Sequence, residues 1–278
     1  MASSAEAIRA EGLSRTYPNG VAGLRGLDLT VRQGEVVGLL GRSGSGKTTL
    51  FRLLVGAIRP SVGQLTVLGT SLPRARPGDL RALRRRVAWV GQQHNLVPGL
   101  SVGHNVLLGR LGQEPLWRVL ARLLHLPEGD RRAAFAVLDE LGVADKLYDR
   151  ADDLSGGQQQ RVAVARALIG NPEILLADEP VASVDEQTAA DVLAACLRAN
   201  REHGTTLLVS LHQPDLAMRL CPRIVVLEAG AKVYDGPPDG IDRATLYAHA
   251  DTPGAARSTD EEEDQDGGAR HAWRSATA

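Results

Sequence analysis

The sequence predicts an α/β fold whose core is a parallel sheet, with an N-terminal antiparallel β subdomain and an inserted α-helical subdomain. A near-continuous apolar run at 35–40 is followed by a glycine-rich turn and by an apolar segment from 47 to about 58 that predicts a helix. Such a run is typical of a strand that is covered on both faces, as strands of parallel sheets are. Strand and helix patterns alternate again from residue 173, whereas 101–141 has only helical periodicity. A sheet domain interrupted by a helical insert accounts for these patterns.

The N-terminal segment predicts short antiparallel strands. Residues 8–13 and 24–31 alternate apolar with polar side chains, and the turn-forming residues 17–20 lie between them. Alternation with a period of two indicates a strand that has one buried face. Further strands are predicted at 63–69 and 86–90.

The insert carries apolar stripes at helical spacing. They are formed by residues 102, 106 and 107, by residues 119, 120, 123 and 124, and by residues 134, 137, 138 and 141. Each stripe predicts an amphipathic helix. We therefore expect a helical subdomain at about residues 93–154, within a larger domain that spans residues 1–250.

The second half of the chain returns to alternating strands and helices. Strands are predicted at 173–177 and 205–210, helices at 188–199 and 215–220, and a closing hairpin at 224–227 and 232–235. After about residue 250 the composition shifts to small and acidic residues, with an acidic run at 260–264. Such a segment buries too little apolar surface to offset its ordering entropy, so 251–278 is predicted to be a disordered acidic tail.

The composition argues against several functional classes. The 278 residues carry a formal net charge of −1, so the basic excess that nucleic-acid binding requires is missing. The two cysteines, Cys196 and Cys221, lie in neither a metal-binding nor a disulfide pattern, which favours a reducing compartment. No secretion signal is expected at the N-terminus, and no run of about 18 apolar residues is present. If the protein serves transport, another chain is expected to form the membrane pore.

A phosphate-binding loop is predicted directly after the apolar strand. It fits the pattern G-x-x-x-x-G-K-[ST], and its residues are Gly41, Arg42, Ser43, Gly44, Ser45, Gly46, Lys47 and Thr48. Glycines let the backbone amides turn inwards around phosphates, and the N-terminus of the next helix adds partial positive charge. Lys47 is expected to reach the β- and γ-phosphates of ATP, and Thr48 to offer a hydroxyl to Mg²⁺. The strand–loop–helix context predicts a P-loop NTPase core of the RecA-like type.

A pair of acidic residues follows the second apolar strand. Asp178 and Glu179 come directly after the apolar residues 174–177. In open α/β sheets, ligands bind beyond the carboxyl ends of the strands, which is where these two residues fall. Asp178 is expected to hold Mg²⁺ through its water shell, and Glu179 to polarise the attacking water. An acid pair in a solvated loop is the alternative, which the neighbouring P-loop disfavours.

Residues 154–161 read LSGGQQQR and resemble the signature sequence of ABC transporter ATPases. Ser155 is predicted to cap a helix that has neither a lysine nor a preceding strand. Such a helix N-terminus is suited to a γ-phosphate but does not hold a nucleotide by itself. The resemblance implies that it faces the P-loop of a second subunit, with ATP between the two copies of a homodimer. The residues of this trans contact are Ser155, Gly156, Gly157 and Gln158.

The same resemblance assigns roles to single residues elsewhere. Gln92, with Gln93 beside it, matches the Q-loop glutamine, which contacts Mg²⁺ or water and joins the core to the helical subdomain. Asp185 matches the D-loop aspartate, and His212 matches the switch histidine that contacts the γ-phosphate. Tyr17 matches the aromatic residue that stacks on adenine, and a tyrosine in a simple turn is the alternative.

The site that the resemblance implies therefore has three groups of residues. The catalytic residues are Glu179, His212 and Gln92. The Mg²⁺ ligands are Thr48, Gln92 and Asp178. The remaining ATP contacts come from Tyr17, from residues 41–48 and from Thr49.

Several stretches are similar to phosphonate-import ATPases in particular. They are residues 17–20, 95–97, 105–112, 116–126, 151–153 and 177–183. None of them would touch the solute, so phosphonate is inferred from kinship, and phosphate, phosphite or another oxyanion stays open. The resemblance also implies integral-membrane permease subunits, an extracytoplasmic solute-binding protein, and a peripheral position on the cytoplasmic face of the membrane.

Two other classes compete with an importer ATPase. Soluble ABC ATPases that act on DNA or ribosomes usually carry two cassettes or a long coiled-coil insertion, whereas this chain has one cassette and a short helical insert. A P-loop kinase or GTPase would not use the signature sequence, and the guanine-reading N-K-x-D motif is missing. The sequence therefore favours a transporter ATPase.

Overall fold

The computed structural model describes residues 5–91, 94–113, 126–182 and 184–241. Gln92, Gln93, the apolar stripe at 119–124 and the acidic tail at 251–278 lie outside these residues, as does Ser183. Predictions that concern them stay predictions.

The described residues form the predicted strands and helices in the predicted order, together with a two-residue strand at 70–71 and a helix at 77–84 that the sequence patterns did not predict. The elements are β1 (Glu6–Thr16), β2 (Ala22–Arg32), β3 (Val36–Leu40), α1 (Lys47–Leu54), β4 (Val62–Val67), β5 (Thr70–Ser71), α2 (Pro77–Arg84), β6 (Val87–Val90), α3 (Val102–Leu107), α4 (Glu128–Glu140), α5 (Gly156–Leu168), β7 (Ile174–Asp178), α6 (Glu186–His203), β8 (Thr206–Ser210), α7 (Pro214–Leu220), β9 (Arg223–Glu228) and β10 (Ala231–Gly236). Short 3₁₀ turns occur at Leu72–Arg74, Leu108–Gln113, Ala144–Lys146, Ala151–Asp153 and Pro238–Gly240. The predicted α/β class is confirmed.

The chain divides into two compact units, each built from separate stretches of sequence. Among the described residues, the unit that contains the phosphate-binding loop, called the P-loop unit below, comprises Ile8–Thr30, Val37–Leu80 and residues 211–241. The unit that contains the signature sequence, called the signature unit, comprises residues 5–7, Val31–Val36 and the described residues of Arg81–Ser210.

In the P-loop unit, the N-terminal strands form the expected antiparallel sheet. Its strand order is β2-β1-β4-β5, and Ile8 of β1 lies opposite Val67 of β4. The unbroken apolar strand β3 is buried along its whole length and runs parallel to β9, with Leu39 opposite Val225. Strands β9 and β10 form the predicted closing hairpin.

In the signature unit, β6, β7 and β8 lie side by side and all run parallel. Every residue of β7 and β8 is buried, as the near-continuous apolar pattern predicts. The registers place Asp178, the last residue of β7, opposite Ser210, the last residue of β8. The parallel pairing therefore brings the ends of these two strands together.

The helical insert of the signature unit buries most residues of the two apolar stripes that lie within the described residues. Val102 and Val106 of α3 are fully buried, as are Ala134 and Leu138 of α4. Helices α3 and α4 both pack against α5, the helix that follows the signature sequence. In the part of the chain that the structure describes, no helix is both long enough and apolar enough to span a bilayer.

The boundaries predicted for two helices are wrong. Helix α1 ends at Leu54 rather than near residue 58, because Gly56 adopts a left-handed conformation with φ 64° and the Ala57 N–H donates to the Arg52 carbonyl. Helix α6 extends beyond the predicted 188–199 at both ends. Asp185 caps its N-terminus, and Gly204 with φ 68° follows its last residue.

Candidate nucleotide site

The phosphate-binding loop joins the end of β3 to the start of α1, as its pattern requires. Three glycines of the loop have positive φ, with values of 149° at Gly41, 80° at Gly44 and 108° at Gly46. A Cβ atom at Gly46 would lie 2.4 Å from the Gly23 carbonyl oxygen, so only glycine fits there. The Gly230 N–H, in the β9–β10 turn, donates to the Ser45 carbonyl at 3.0 Å and braces the loop.

Lys47 is the first residue of α1, and its side chain folds back over the loop. The residue is only 4% exposed, and Nζ donates to the Gly41 carbonyl at 2.5 Å and to the Arg42 carbonyl at 3.2 Å. Ser45 Oγ is buried without a hydrogen-bond partner. Buried polar groups are ordinarily hydrogen-bonded, so this hydroxyl is suited to a ligand. A cation and an unused hydroxyl inside a turn of backbone amides fit a bound phosphate group.

Tyr17 lies at the start of the β1–β2 turn and is tied to the P-loop helix. Its hydroxyl is 3.1 Å from Thr49 Oγ1, and the guanidinium of Arg15 lies 5.1 Å from the centre of its ring. The Tyr17 N–H also donates to the Val21 carbonyl, so the residue belongs to the turn as well. The aromatic ring is therefore held beside the helix that begins at the P-loop.

In the signature unit, the acid pair lies where β7 ends. Asp178 is only 1% exposed, and one of its oxygens, Oδ1, accepts a hydrogen bond from Ser210 Oγ at 2.9 Å. The same Ser210 oxygen accepts a hydrogen bond from the Glu179 N–H at 2.8 Å. Glu179 itself is half-buried and has φ 53°, a left-handed conformation that is uncommon outside glycine. The backbone turns sharply between the two carboxylates.

The signature sequence begins helix α5 with a complete capping box. Ser155 Oγ accepts a hydrogen bond from the Gln158 N–H, and Gln158 Oε1 accepts one from the Ser155 N–H. Leu154 is buried, whereas Ser155 and Gly156 are exposed. The helix N-terminus, with its partial positive charge, therefore faces solvent in the single chain.

Residues of α5 also hold the segments around the acid pair and the D-loop. Gln160 Nε2 donates to the Pro180 carbonyl at 2.7 Å. Arg161 donates to Thr188 Oγ1, which in turn donates to Asp185 Oδ2 at 2.6 Å. These hydrogen bonds from Thr188 hold the pKa of Asp185 below its ordinary value. The signature helix is thus connected by side chains to the segment after β7 and to the N-terminus of α6.

His212 lies two residues beyond β8, in the P-loop unit, and is half-buried. Its position between Ser210 and α7 agrees with a residue at the end of a parallel strand. Gln92 lies outside the described residues, so its predicted contact with Mg²⁺ stays a prediction.

The sequence predicts three ligands for Mg²⁺, of which Gln92 lies outside the described residues. The other two are the Asp178 carboxylate and the Thr48 hydroxyl. Both are oxygen ligands of the kind that Mg²⁺ prefers, and Mg²⁺ commonly keeps several waters and substrate oxygens around one or two protein ligands. Among the described residues, no three His, Cys, Asp or Glu side chains are grouped closely enough to hold a metal ion without such help. The available donors therefore fit Mg²⁺ that is bound together with nucleotide phosphates.

Sequence reasoning missed four residues that the structure places around the predicted ones. They are Ser210, Gln160, Arg161 and Thr188. The sequence does contain a signal for Ser210, because this polar residue directly follows the apolar residues 207–209 of its strand. Its partners depend on the β7–β8 register, which residue pattern alone does not specify.

Comparisons with known proteins agree with this arrangement. Residues 24–182 match the family model of the ABC transporter. A Burkholderia pseudomallei (strain 1710b) protein named "Phosphonates import ATP-binding protein PhnC" is 47% identical over 251 residues, which cover 87% of this chain and 80% of that protein. A protein of the same name from Shouchella clausii is 41% identical, with 91% of this chain and 94% of that protein covered.

Solved structures of similar proteins show the same fold. A dimeric ATP-binding cassette in a post-hydrolysis state, bound to ADP and Pi, is 29% identical to this chain with a TM-score of 0.73. The match covers 84% of this chain and all of that one. The family model, the sequence relatives and the shared fold lead to one conclusion: this chain belongs to the ABC transporter family.

Proposed function

We propose that this chain is the ATP-hydrolysing subunit of an ABC importer that takes up phosphonate or a related phosphorus oxyanion. The observation that carries the proposal is the acid pair at the end of β7, where Ser210 holds both Asp178 and the backbone of Glu179. A buried carboxylate followed by a half-buried one at a strand end is suited to phosphoryl-transfer chemistry. The intact phosphate-binding loop in the same chain supplies the nucleotide cradle.

The P-loop residues are proposed to bind the ATP phosphates. The amides of residues 41–48 turn around the phosphates, and Lys47 exchanges its loop carbonyl partners for charged phosphate oxygens. Thr49 and Tyr17, which share a hydrogen bond, hold the adenine-stacking ring beside this loop. Stacking needs only a flat aromatic face, so the ring contributes affinity more than base selectivity.

The acid pair and its neighbours are proposed to carry out hydrolysis. Asp178, Thr48 and Gln92 would hold Mg²⁺, which would supply positive charge to offset that of the phosphates. Glu179 orients and polarises the attacking water, and His212 donates a hydrogen bond to the γ-phosphate. Gln92 contributes a further polar contact at the hinge with the helical subdomain.

Two copies of the chain are proposed to share each ATP. The exposed N-terminus of α5 supports this proposal, because its capped first turn points to solvent and holds no nucleotide alone. Ser155, Gly156, Gly157 and Gln158 would contact the γ-phosphate bound by the other copy. Asp185 of the D-loop, which accepts a hydrogen bond from Thr188, caps helix α6 and would face the same interface.

The partners of the proposed dimer are integral-membrane permease subunits and, through them, an extracytoplasmic solute-binding protein. The chain would lie peripherally on the cytoplasmic face of the membrane and would bind no nucleic acid, which agrees with its net charge of −1. The helical subdomain at about residues 93–154, within the ATPase domain at 1–250, would contact the permease. We assign no role to the tail at 251–278.

The names of the relatives support phosphonate as the solute, and a growth experiment tests it. Deleting the gene should abolish growth on an alkylphosphonate as sole phosphorus source, while growth on ample phosphate stays normal. Restoring the wild-type gene should restore growth, and a Lys47→Ala copy should not. Unimpaired phosphonate uptake in the deletion strain, with no second copy of the system, would assign the chain to a different solute.

A further inference from the structure

We propose that Ser210 is a positioning residue for hydrolysis, because its hydroxyl fixes the carboxylate of Asp178 and the backbone of Glu179 relative to each other. The inference rests on the proposed function, in which these two acids serve Mg²⁺ binding and water activation. Ser210 itself would touch neither nucleotide nor water. Ser210 would affect hydrolysis only by positioning Asp178 and Glu179.

The donor and acceptor roles at Ser210 follow from the chemistry of its partners. The Glu179 backbone N–H is only a donor, so Ser210 Oγ must accept the 2.8 Å hydrogen bond. The single proton of the hydroxyl is then directed to Asp178 Oδ1 at 2.9 Å. An ionised carboxylate is a strong acceptor, and this bond is therefore charge-assisted. The same hydroxyl thus donates to the carboxylate of Asp178 and accepts from the backbone of Glu179.

The position of Ser210 leaves its hydroxyl little freedom. Ser210 is 0% exposed and lies directly opposite Asp178 in the parallel β7–β8 pairing. Both strands are buried along their whole length, so a shift of register would displace their apolar residues. The sheet thus determines the distance between the hydroxyl and the acid pair.

The backbone at Glu179 needs such a constraint. Its φ of 53° is a left-handed conformation, which is strained for a residue other than glycine. Strained conformations persist where several contacts with the surrounding structure hold them in place. Here the Glu179 N–H is held by Ser210, the Glu179 carbonyl accepts from the Ala182 N–H at 3.1 Å, and the Pro180 carbonyl accepts from Gln160.

Loss of the Ser210 hydroxyl should therefore change the direction of the Glu179 side chain. Without its hydrogen bond, the Glu179 N–H is left without this partner, and relaxation of φ to a negative value would turn the carboxylate away. Asp178 would also lose a bond that orients its carboxylate. The expected defect is in turnover, because the P-loop that binds the phosphates is not altered.

The test compares steady-state ATP hydrolysis by the full chain carrying Ser210→Ala with that by Ser210→Thr. Ser210→Ala should lower kcat roughly tenfold or more, as expected for a lost charge-assisted hydrogen bond, while the KM for ATP stays within about twofold. The Mg²⁺ concentration that gives half-maximal activity should rise. Ser210→Thr keeps the hydroxyl and should recover most of the activity.

A matched control is Thr205→Val, in the turn that leads into β8. Thr205 is 1% exposed, and its hydroxyl donates to the Pro172 carbonyl at 2.8 Å, far along the strand from the acid pair. This variant also removes a buried hydroxyl and its hydrogen bond, so its stability should fall as well. Its kcat should nevertheless stay near the wild-type value. If both variants lose kcat in proportion to stability, the positioning role is refuted.

A double variant separates this inference from the proposed function. In a Glu179→Gln background, Ser210→Ala should lower the residual turnover far less than it does alone, because both changes act on one group. Wild-type protein without ATPase activity, or a fully active Glu179→Gln variant, would overturn the proposed function. An inactive Glu179→Gln variant together with a fully active Ser210→Ala variant would overturn the role of Ser210 alone. Additive losses would likewise contradict it.

Discussion

The guanidinium of Arg161 on the signature helix donates a hydrogen bond to the hydroxyl of Thr188 on helix α6. The Thr188 hydroxyl in turn donates a hydrogen bond to Asp185, the residue that caps α6. The helix that begins with the signature sequence is therefore connected by side chains to the D-loop aspartate. If ATP binding moves this helix, the movement can reach Asp185 through Thr188.

Replacing Thr188 tests this connection. Thr188→Val should lower the free energy of unfolding by about 1–3 kcal/mol, because it removes the bond to Asp185 and leaves a half-buried Arg161 nitrogen without its acceptor. The backbone N–H of residue 188 still donates to Asp185, so the helix cap should persist. Gln187→Ala, at the exposed neighbouring position, should change stability by less than about 0.5 kcal/mol. Urea unfolding followed by circular dichroism measures both, and equal effects would contradict the proposed connection.

Nucleotide binding and hydrolysis should separate in two variants. Glu179→Gln keeps the size of the side chain and removes water polarisation, so turnover should fall about 100- to 10,000-fold with ATP affinity nearly intact. Lys47→Ala should instead weaken ATP binding about 10- to 100-fold, through the loss of charge-assisted bonds. Fluorescent-nucleotide titration gives the affinities. Equal loss of affinity in both variants would refute this division of roles.

The ring of Tyr17, rather than its hydroxyl, should determine its contribution to binding. Tyr17→Phe loses only the hydrogen bond with Thr49 and should bind ATP within about twofold of the wild type. Tyr17→Ala loses the stacking face and should bind roughly 3- to 10-fold more weakly. If Tyr17 served only to form the turn, ATP binding would be unchanged in both variants, and that result would contradict the stacking role.

The motifs that bear the chemistry were predictable from the sequence because phosphate binding restricts both residue type and spacing. Lys47 lies at the P-loop helix, Asp178 ends a buried strand, and Ser155 caps the signature helix, as their patterns predict. The parallel and antiparallel strands also follow from their apolar patterns.

The partners of these motifs were not predictable in the same way. Ser210 meets Asp178 only because β7 and β8 pair in one register, and that register depends on packing over the whole sheet. Gln160 and Arg161 lie within the signature itself, yet their acceptors, the Pro180 carbonyl and Thr188, are distant in sequence. Helix α1 ends early because Gly56 adopts a left-handed conformation that residue pattern leaves open.

The buried thiols should be almost inert in the folded protein. Burial raises the pKa of Cys196 from its ordinary value of 9.0 to about 12, which lowers the thiolate fraction at neutral pH roughly a thousandfold. Because the folded pKa exceeds the unfolded one, this contribution to stability is complete below about pH 9 and is lost as the pH rises towards 12. A thiol reagent at pH 8 should react with Cys196 and Cys221 only after denaturant is added. Rapid reaction in the native protein would contradict their burial.

We propose that each ATP is hydrolysed between two copies of the chain. The dependence of the ATPase rate on protein concentration tests this proposal most directly. At saturating ATP and Mg²⁺, specific activity should rise with protein concentration and level off once dimers predominate, because the signature helix of one copy must meet the P-loop of another. Glu179→Gln protein with ATP should elute as a dimer at the same concentrations. Specific activity that stays constant on dilution, with the protein monomeric throughout, would contradict the composite site.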